Sequence, residues 1–391
     1  MSKGSPLLPF AVLATIVLTR DARASTSRAA VSPGADTVVI DSFDSLSQWR
    51  TNPSAGVEVS IHPDKGAHGR AMRVDFDFHG HPGYWIVHRE LDLNLPQNFQ
   101  FIFSLRGESP ANNLEFKLVD QDHESVWWNK IPDFQPPRDW QTLTPSKREI
   151  CYAWGGPPRR YYDLRRLSAI EFAISTGTGG KGSVWIDDLT LTPVATESPF
   201  AFTAPVASNP LVGTWESAVK DPDGSGVKLD FEPSGAFTST AGFMMPFKYS
   251  IDKDRLTTDF TEPPDTAVRV FTVPFTISHD SLMQKGDNLL GRDVVMKRVG
   301  APRDGPSIRG VWTFDDFTGA TAFVAFDENG KAELRIPSRA CSSSWRVAPP
   351  GHIVVSSNGE KREIDFTVAN DVLTLKYPGG EIVYNRRTRA P

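Results

Sequence analysis

Cysteine is nearly missing from this chain: Cys151 and Cys341 are the only two in 391 residues. A disulfide-stapled scaffold is therefore excluded. Neither thiol lies in the CxxC or Cys/His spacing that redox or zinc chemistry needs. The two read either as free buried thiols or as one bridge between domains, which would require Cα atoms within about 7 Å. Helical periodicity is also scarce, with one short candidate turn from Tyr161 to Leu167. The longest mostly apolar run, Leu7 to Leu18, has 12 residues. That is too short to cross a bilayer, and no other run does better, so no transmembrane segment is expected. There is no basic block, and the net charge is −5. Nucleic-acid binding, which depends on neutralising phosphates, is a poor fit. No GxSxG, HExxH or P-loop motif occurs. The run Gly177-x-Gly179-Gly180-x-Gly182 stands between two strand patterns with no helix after it, so it reads as a hairpin rather than a dinucleotide site.

What is present begins with a leader. Lys3 supplies a positive start, Leu7 to Leu18 an apolar core, and Ala22-Arg23-Ala24 an A-x-A cleavage pattern. Residues 1–24 therefore read as a secretory signal peptide, with an exported, periplasmic or extracellular, mature chain. Cleavage removes Lys3, Arg20, Arg23 and Asp21, so three positive charges and one negative leave, and the net charge moves from −5 to −7. Residues 25–36 are small and polar, a flexible leader. The counts of 30 glycines and 31 prolines suit a turn-rich β protein.

From Thr37 to Pro193 one period-two pattern follows another. Val74, Phe76 and Phe78 alternate with Arg73, Asp75, Asp77 and His79. Phe101, Phe103 and Leu105 alternate with Ile102, Ser104 and Arg106, and Leu114, Phe116 and Leu118 with Glu115 and Lys117. Such alternation predicts half-buried antiparallel strands, here a β-sandwich over 37–193. Residues 194–209 read as a linker. The remainder repeats itself. Gly213-Thr214-Trp215 recurs as Gly310-Val311-Trp312, Phe231 as Phe326, and Phe275 to Leu282 as Phe366 to Leu373, at offsets of 91 to 97 residues. This duplication predicts two tandem small antiparallel β-barrel or meander units, 210–299 and 306–388, in an all-β chain.

Four segments give the first domain a resemblance to the galactose-binding-like jelly-roll domains, the discoidin and carbohydrate-binding-module group. They are Ile40-Asp41-Ser42-Phe43-Asp44, Gly66-x-x-Gly69-x-Ala71-Met72-Arg73-Val74, Asn113 to Asp120, and Val184-Trp185-Ile186-Asp187-Asp188-Leu189. The resemblance implies a two-sheet jelly roll, a glycan or polysaccharide ligand, and a structural Ca²⁺. The C-terminal units are similar to small lipocalin-like domains, in a Gly-x-Trp first strand and a last strand whose basic residue could cover the indole.

Sugar binding needs a flat aromatic face and polar groups for hydroxyls. Seven of the ten tryptophans lie in the first domain. Trp127 and Trp128 are adjacent and must face opposite sides. Val126 shares a face with Trp128, so Trp127 is expected outward. Asp77, His79, Tyr84, Arg106, Glu115, Lys117 and Trp127 form the candidate ligand set, if their strands share a sheet. The alternative is a solvated outer face with cross-strand ion pairs. Asp41, Asp187 and Asp188 could hold Ca²⁺ where first and last strands meet. His79, His81 and His88 make a weaker transition-metal set. The expectation is thus an exported, non-catalytic carbohydrate-binding protein. The alternatives are a β-sandwich glycosidase or lyase, and an envelope or adhesion component without a sugar site.

Overall fold

The computed structural model describes residues 37–388 apart from 157–163, 177–179, 195, 197, 222–223, 261–268, 288–291, 301–304, 317, 350, 358–359 and 378–379. The segments read as a signal peptide (1–24) and a leader (25–36), and parts of the expected Tyr161–Leu167 turn and Gly177–Gly182 hairpin, lie outside the described residues. All regular structure among the described residues is β.

The first domain has twelve strands: β1 (Val38–Asp41), β2 (Arg50–Pro53), β3 (Glu58–Lys65), β4 (Arg70–Asp77), β5 (Gly83–Asn94), β6 (Phe99–Glu108), β7 (Asn112–Asp120), β8 (Val126–Phe134), β9 (Gln141–Leu143), β10 (Cys151–Trp154), β11 (Arg166–Thr176) and β12 (Lys181–Pro193). They form two antiparallel sheets. One runs β3-β4-β12-β6-β9 with β1 also on β12, and the other runs β10-β8-β7-β11-β5-β2. Met72, Val74, Phe76 and Phe78 from one sheet meet Trp85, Val87, Phe116 and Phe172 from the other in a single core. The period-two pattern is the cause: odd and even positions of each strand face opposite sides, and only one side is dry. Gly66 and Gly69 shape the turn before β4, and Gly69 sits at φ +62°, where a side chain would be strained.

The duplicated region is built differently from its linear repeat. Its strands are β13 (Gly213–Ser217), β14 (Ser225–Phe231), β15 (Ala236–Asp252), β16 (Arg255–Asp259), β17 (Val270–Ile277), β18 (Ser281–Asp287), β19 (Arg292–Arg298), β20 (Gly310–Asp315), β21 (Thr321–Phe326), β22 (Lys331–Ala348), β23 (His352–Ser357), β24 (Glu360–Ala369), β25 (Val372–Tyr377) and β26 (Gly380–Arg386). The units 210–299 and 306–388 do not close separately. The two long strands, β15 and β22, pair along their length from Ala236↔Ser344 to Lys248↔Lys331. Their far ends belong to different rings. One ring is β15-β16-β17-β18-β19-β20-β21-β22; the other is β13-β14-β15-β22-β23-β24-β25-β26. Each barrel thus takes its first strands from one repeat and its later strands from the other.

The exchange is possible because the two repeats carry the same contacts. Arg298 covers Trp312 at 4.1 Å and Arg386 covers Trp215 at 4.0 Å. The indole N–H groups donate to Ile308 O at 2.7 Å and to Leu211 O at 2.8 Å. The relation is a pseudo-two-fold: Tyr249 N donates to Gly330 O and Trp345 N to Gly235 O, both at 2.8 Å. Trp312, Leu256, Leu282 and Phe326 fill one barrel, and Trp215, Phe231, Leu373 and Tyr384 the other.

The sandwich rests on the first barrel. Lys147 Nζ donates to Gln97 O at 3.0 Å and Gly319 O at 3.1 Å. Arg148 pairs with the buried Asp316, and Thr321 N donates to Asn98 Oδ1 at 2.9 Å.

Candidate functional site

The seven candidate ligand residues do not form one surface. Asp77 and Arg106 lie on the outer face of the β4/β6 sheet, with His79 just past β4 in the loop toward β5. Tyr84, Glu115 and Lys117 lie on the outer face of the β7/β11/β5 sheet. Alternation assigns a residue to inside or outside but not to a sheet, so the two charged sets separate onto opposite sides of the sandwich. Trp127 is a correction. It is 3 % exposed and packs edge-on to Tyr152 in the core, 5.7 Å between ring centroids. Trp128 is the outward residue of the pair. Val126 does share a face with Trp128, but that face is the outer one: Val126 lies opposite Val119 and next to Trp154 of β10.

On the β4 side, polar groups are abundant; of its aromatic side chains Trp185 is covered, and Trp140 is half-buried with Arg106 5.4 Å from its ring. Trp185 is 5 % exposed, with Arg106 3.8 Å and Arg73 5.0 Å from its ring and its N–H donated to Asp64 at 2.9 Å. Asp77 accepts from His79 N at 2.8 Å and pairs with Lys181 at 3.3 Å, which holds its carboxyl below the usual range. An open groove of about 700 Å³ runs past Glu58, Ser60, Asp75, Asp77 and Ser183.

The β7 side offers both ingredients. Glu115 and Lys117 point outward yet each is only 5 % exposed in its side chain, joined at 2.9 Å. Glu115 also pairs with Lys130 at 3.4 Å and accepts from Ser175 at 2.8 Å. Glu115 is sunk because the neighbouring strand β11 carries small residues there: Ala173 stands opposite Glu115 and Ser175 opposite Asn113, while Lys117 stands opposite Glu171. Longer side chains from β7 fold across that gap. At one flank Trp128 and Trp154 meet edge-to-face at 5.2 Å, with Lys130 4.8 Å from the first ring and Lys117 5.3 Å from the second. Trp154 is 46 % exposed. At the other flank stand Tyr84, 41 % exposed, and His88, which pairs with Glu171 at 2.9 Å. That hydrogen bond raises the His88 pKa against the opposing effect of burial. The floor therefore carries paired charges and hydroxyl or amide groups, and its walls are aromatic. Trp154 and Glu171 were missed by sequence reasoning, Trp128 was assigned to the core, and His88 was read only as a member of a metal set. The signal for Trp154 was its place on a strand facing Trp128, which only the pairing reveals.

The three histidines do not converge: His88 lies on β5 with Glu171, while His79 turns to Asp77 and Glu58. Among the described residues no group of three or more His, Cys, Asp or Glu side chains is arranged around a metal. Asp41 does not suit calcium. Its carboxylate accepts from Phe43 N and Trp49 Nε1, both at 2.7 Å, and from Arg89 at 2.6 Å. Asp187 and Asp188 are adjacent, and Asp187 accepts from Asp188 N at 2.8 Å. Asp187 is fully buried and accepts from His68 N at 3.1 Å; Asp188 meets His68 Nδ1 at 2.7 Å. A Cβ on Gly66 would stand 2.4 Å from the Asp187 carboxylate, and one on Gly69 3.2 Å from that of Asp44. Acid groups thus face the Gly66–Gly69 turn from two sides. Burial first, and then the charge of Asp188, push Asp187 up to about 6. Cys151 is a free, exposed thiol; the Cys341 side chain lies outside the described residues.

No family model matches this chain. No curated protein matches it either. Solved structures do. A family 11 carbohydrate-binding module from Clostridium thermocellum, in complex with a β-1,3-1,4-mixed-linked tetrasaccharide, is 18 % identical over 41 % of this chain and 98 % of its own, with a TM-score of 0.35. The family 30 module of a cellulosomal cellulase from Clostridium thermocellum is 15 % identical over 38 % and 93 %, with a TM-score of 0.30. A family 61 module in complex with β-1,4-galactotriose is 16 % identical over 38 % and 90 %, with a TM-score of 0.23. At these values the likeness carries no argument about ligand.

Proposed function

We propose that this chain is an exported carbohydrate-binding protein, and that a glycan lies on the outer face of the β10-β8-β7-β11-β5-β2 sheet. The observation that carries the reading is the exposed Trp154, set beside Trp128 at the edge of a floor holding Glu115, Lys117, Ser175 and Glu171. An indole offers its face to the apolar side of a pyranose, and fixed polar groups select hydroxyls. Trp185 on the opposite sheet offers no such face, because two guanidinium groups occupy it. On this reading Asp77, His79 and Arg106 belong to a separate polar surface, and Tyr84 marks the far wall. Calcium, held by Asp187 and Asp188 with backbone carbonyls, would clamp the turn before β4 and take no part in contact with sugar.

The test is retention of the purified protein on soluble and insoluble polysaccharides, with and without chelator, scoring bound protein and new reducing ends. Retention that Trp154→Ala abolishes supports the reading. Release of shortened sugars would make it an enzyme, and no retention on any polymer would leave the structural or partner-binding role.

A further inference from the structure

The segment between sandwich and barrels is docked. Phe200 is 4 % exposed and clusters with Phe323, Ala325, Val299 and Val311. Its ring also lies 4.7 Å from the guanidinium of Arg335 and 5.8 Å from that of Arg387. Arg335 is 1 % exposed, donates to Pro199 O at 3.0 Å, and pairs with Glu216 at 2.6 Å and Glu333 at 2.8 Å. Three residues on, Thr203 N donates to Thr214 Oγ1 at 2.8 Å.

These partners come from outward positions of both barrels, next to the pseudo-two-fold relating them. Aligning Arg298 with Arg386, Trp312 with Trp215 and Phe326 with Phe231 makes Val299 the counterpart of Arg387. Val311 then corresponds to Thr214, Thr313 to Glu216, Phe323 to Lys228, and Ala325 to Asp230. Every position on one side is apolar or a small hydroxyl. Its counterpart on the other side is charged, or is the threonine that binds the linker. Lys228 and Asp230 are buried and joined at 2.8 Å, so this charged wall is itself desolvated. A groove on a two-fold has two equivalent walls, but one ring can occupy it in only one orientation.

We propose that the groove between the barrels is a binding site for a single aromatic side chain, that the linker's Phe200 fills it, and that the two repeats have diverged around this one occupant. The apolar wall takes one face of the ring, and the cations of Arg335 and Arg387 approach the remainder. Docking then acts together with the direct contacts of Lys147, Arg148 and Asn98 on Gly319, Asp316 and Thr321 in fixing how the sandwich attaches to the barrels.

The experiment is chymotrypsin cleavage of the full-length protein between residues 200 and 203, timed under native conditions. Cleavage of a folded chain follows the population of its open form. The wild type is expected to resist. Phe200→Ala, which alters no barrel residue, should be cut at Phe202 about tenfold faster or more, and Phe200→Leu should recover much of the protection. Val299→Arg, which makes the apolar wall resemble its counterpart, should also speed cleavage while the barrel tryptophan fluorescence stays native. Phe200→Ala cut no faster than wild type would overturn the docking. Protection unchanged in Val299→Arg, with Phe200→Ala opened, would overturn the divergence of the walls. If Val299→Arg unfolds the barrel, Phe323→Ala is the replacement variant with the same readings.

Discussion

Glu115 and Lys117 make the sharpest test of the binding face, because stability and binding separate there. Glu115→Leu leaves the Lys117 ammonium, 5 % exposed, without its 2.9 Å partner. Breaking a buried pair this way costs about 3–5 kcal/mol, since the remaining charge is desolvated and uncompensated. Lys117→Met should cost less, about 1–3 kcal/mol, because Glu115 keeps Ser175 at 2.8 Å and Lys130 at 3.4 Å. The double variant Glu115→Leu/Lys117→Met removes both charges and fills the same space, so it should lie within about 1–2 kcal/mol of wild type. The assay is urea unfolding of the four proteins, read at the sandwich transition and compared as a cycle. Additive losses, with the double variant as unstable as the sum of the singles, would refute the idea that the two form one closed, desolvated unit. The double variant also removes the charged pair from the polar floor of a folded sandwich. Loss of glycan retention in that protein would be a binding effect and not unfolding.

Trp127→Ala should cost about 3–5 kcal/mol in thermal or urea unfolding, as a core aromatic, while Trp154→Ala leaves stability nearly unchanged and removes retention. Asp187 has a raised folded pKa, about 6 against 3.8, so its contribution to stability is present below the unfolded value and is lost as pH rises through about 6. In chelator, wild type should therefore lose up to about 3 kcal/mol relative to Asp187→Asn between pH 4 and 7, and calcium should restore it; urea midpoints of the two proteins check this, and a flat difference would sink it. Leu256→Ala, in the core of one barrel, should destabilise both barrels in one coincident transition by about 2–5 kcal/mol, because β15 and β22 are shared; two separated transitions by fluorescence and circular dichroism would contradict this.

The sandwich was legible in the sequence because period-two alternation at Val74 to Phe78, Phe101 to Leu105 and Leu114 to Leu118 directly reports a strand with one dry face. The face of each residue was mostly readable; the sheet it belonged to was not. Glu115 and Asp77 look alike in sequence, and only the pairing of β7 with β11 and of β4 with β12 sets them on opposite sides. Trp127 and Trp128 were inverted because apolar Val126 was assumed to be inside, on a sheet whose outer face is itself aromatic. The duplication was legible too, but not the exchange. Trp215 would meet an equivalent arginine whether its barrel closed with Arg298 or with Arg386, so residue identity could not distinguish the two connections.

That exchange sets an order for biosynthesis. β13 carries Trp215 and waits for Tyr384 to Arg386 to complete its ring. Nearly the whole duplicated region must therefore leave the ribosome before its opening strand can be sealed. A chain shortened within 380–386 would present an unsealed first strand with a large indole beneath it. An unpaired strand edge of that kind is a template for pairing with other chains, so closing the ring also removes an aggregation site.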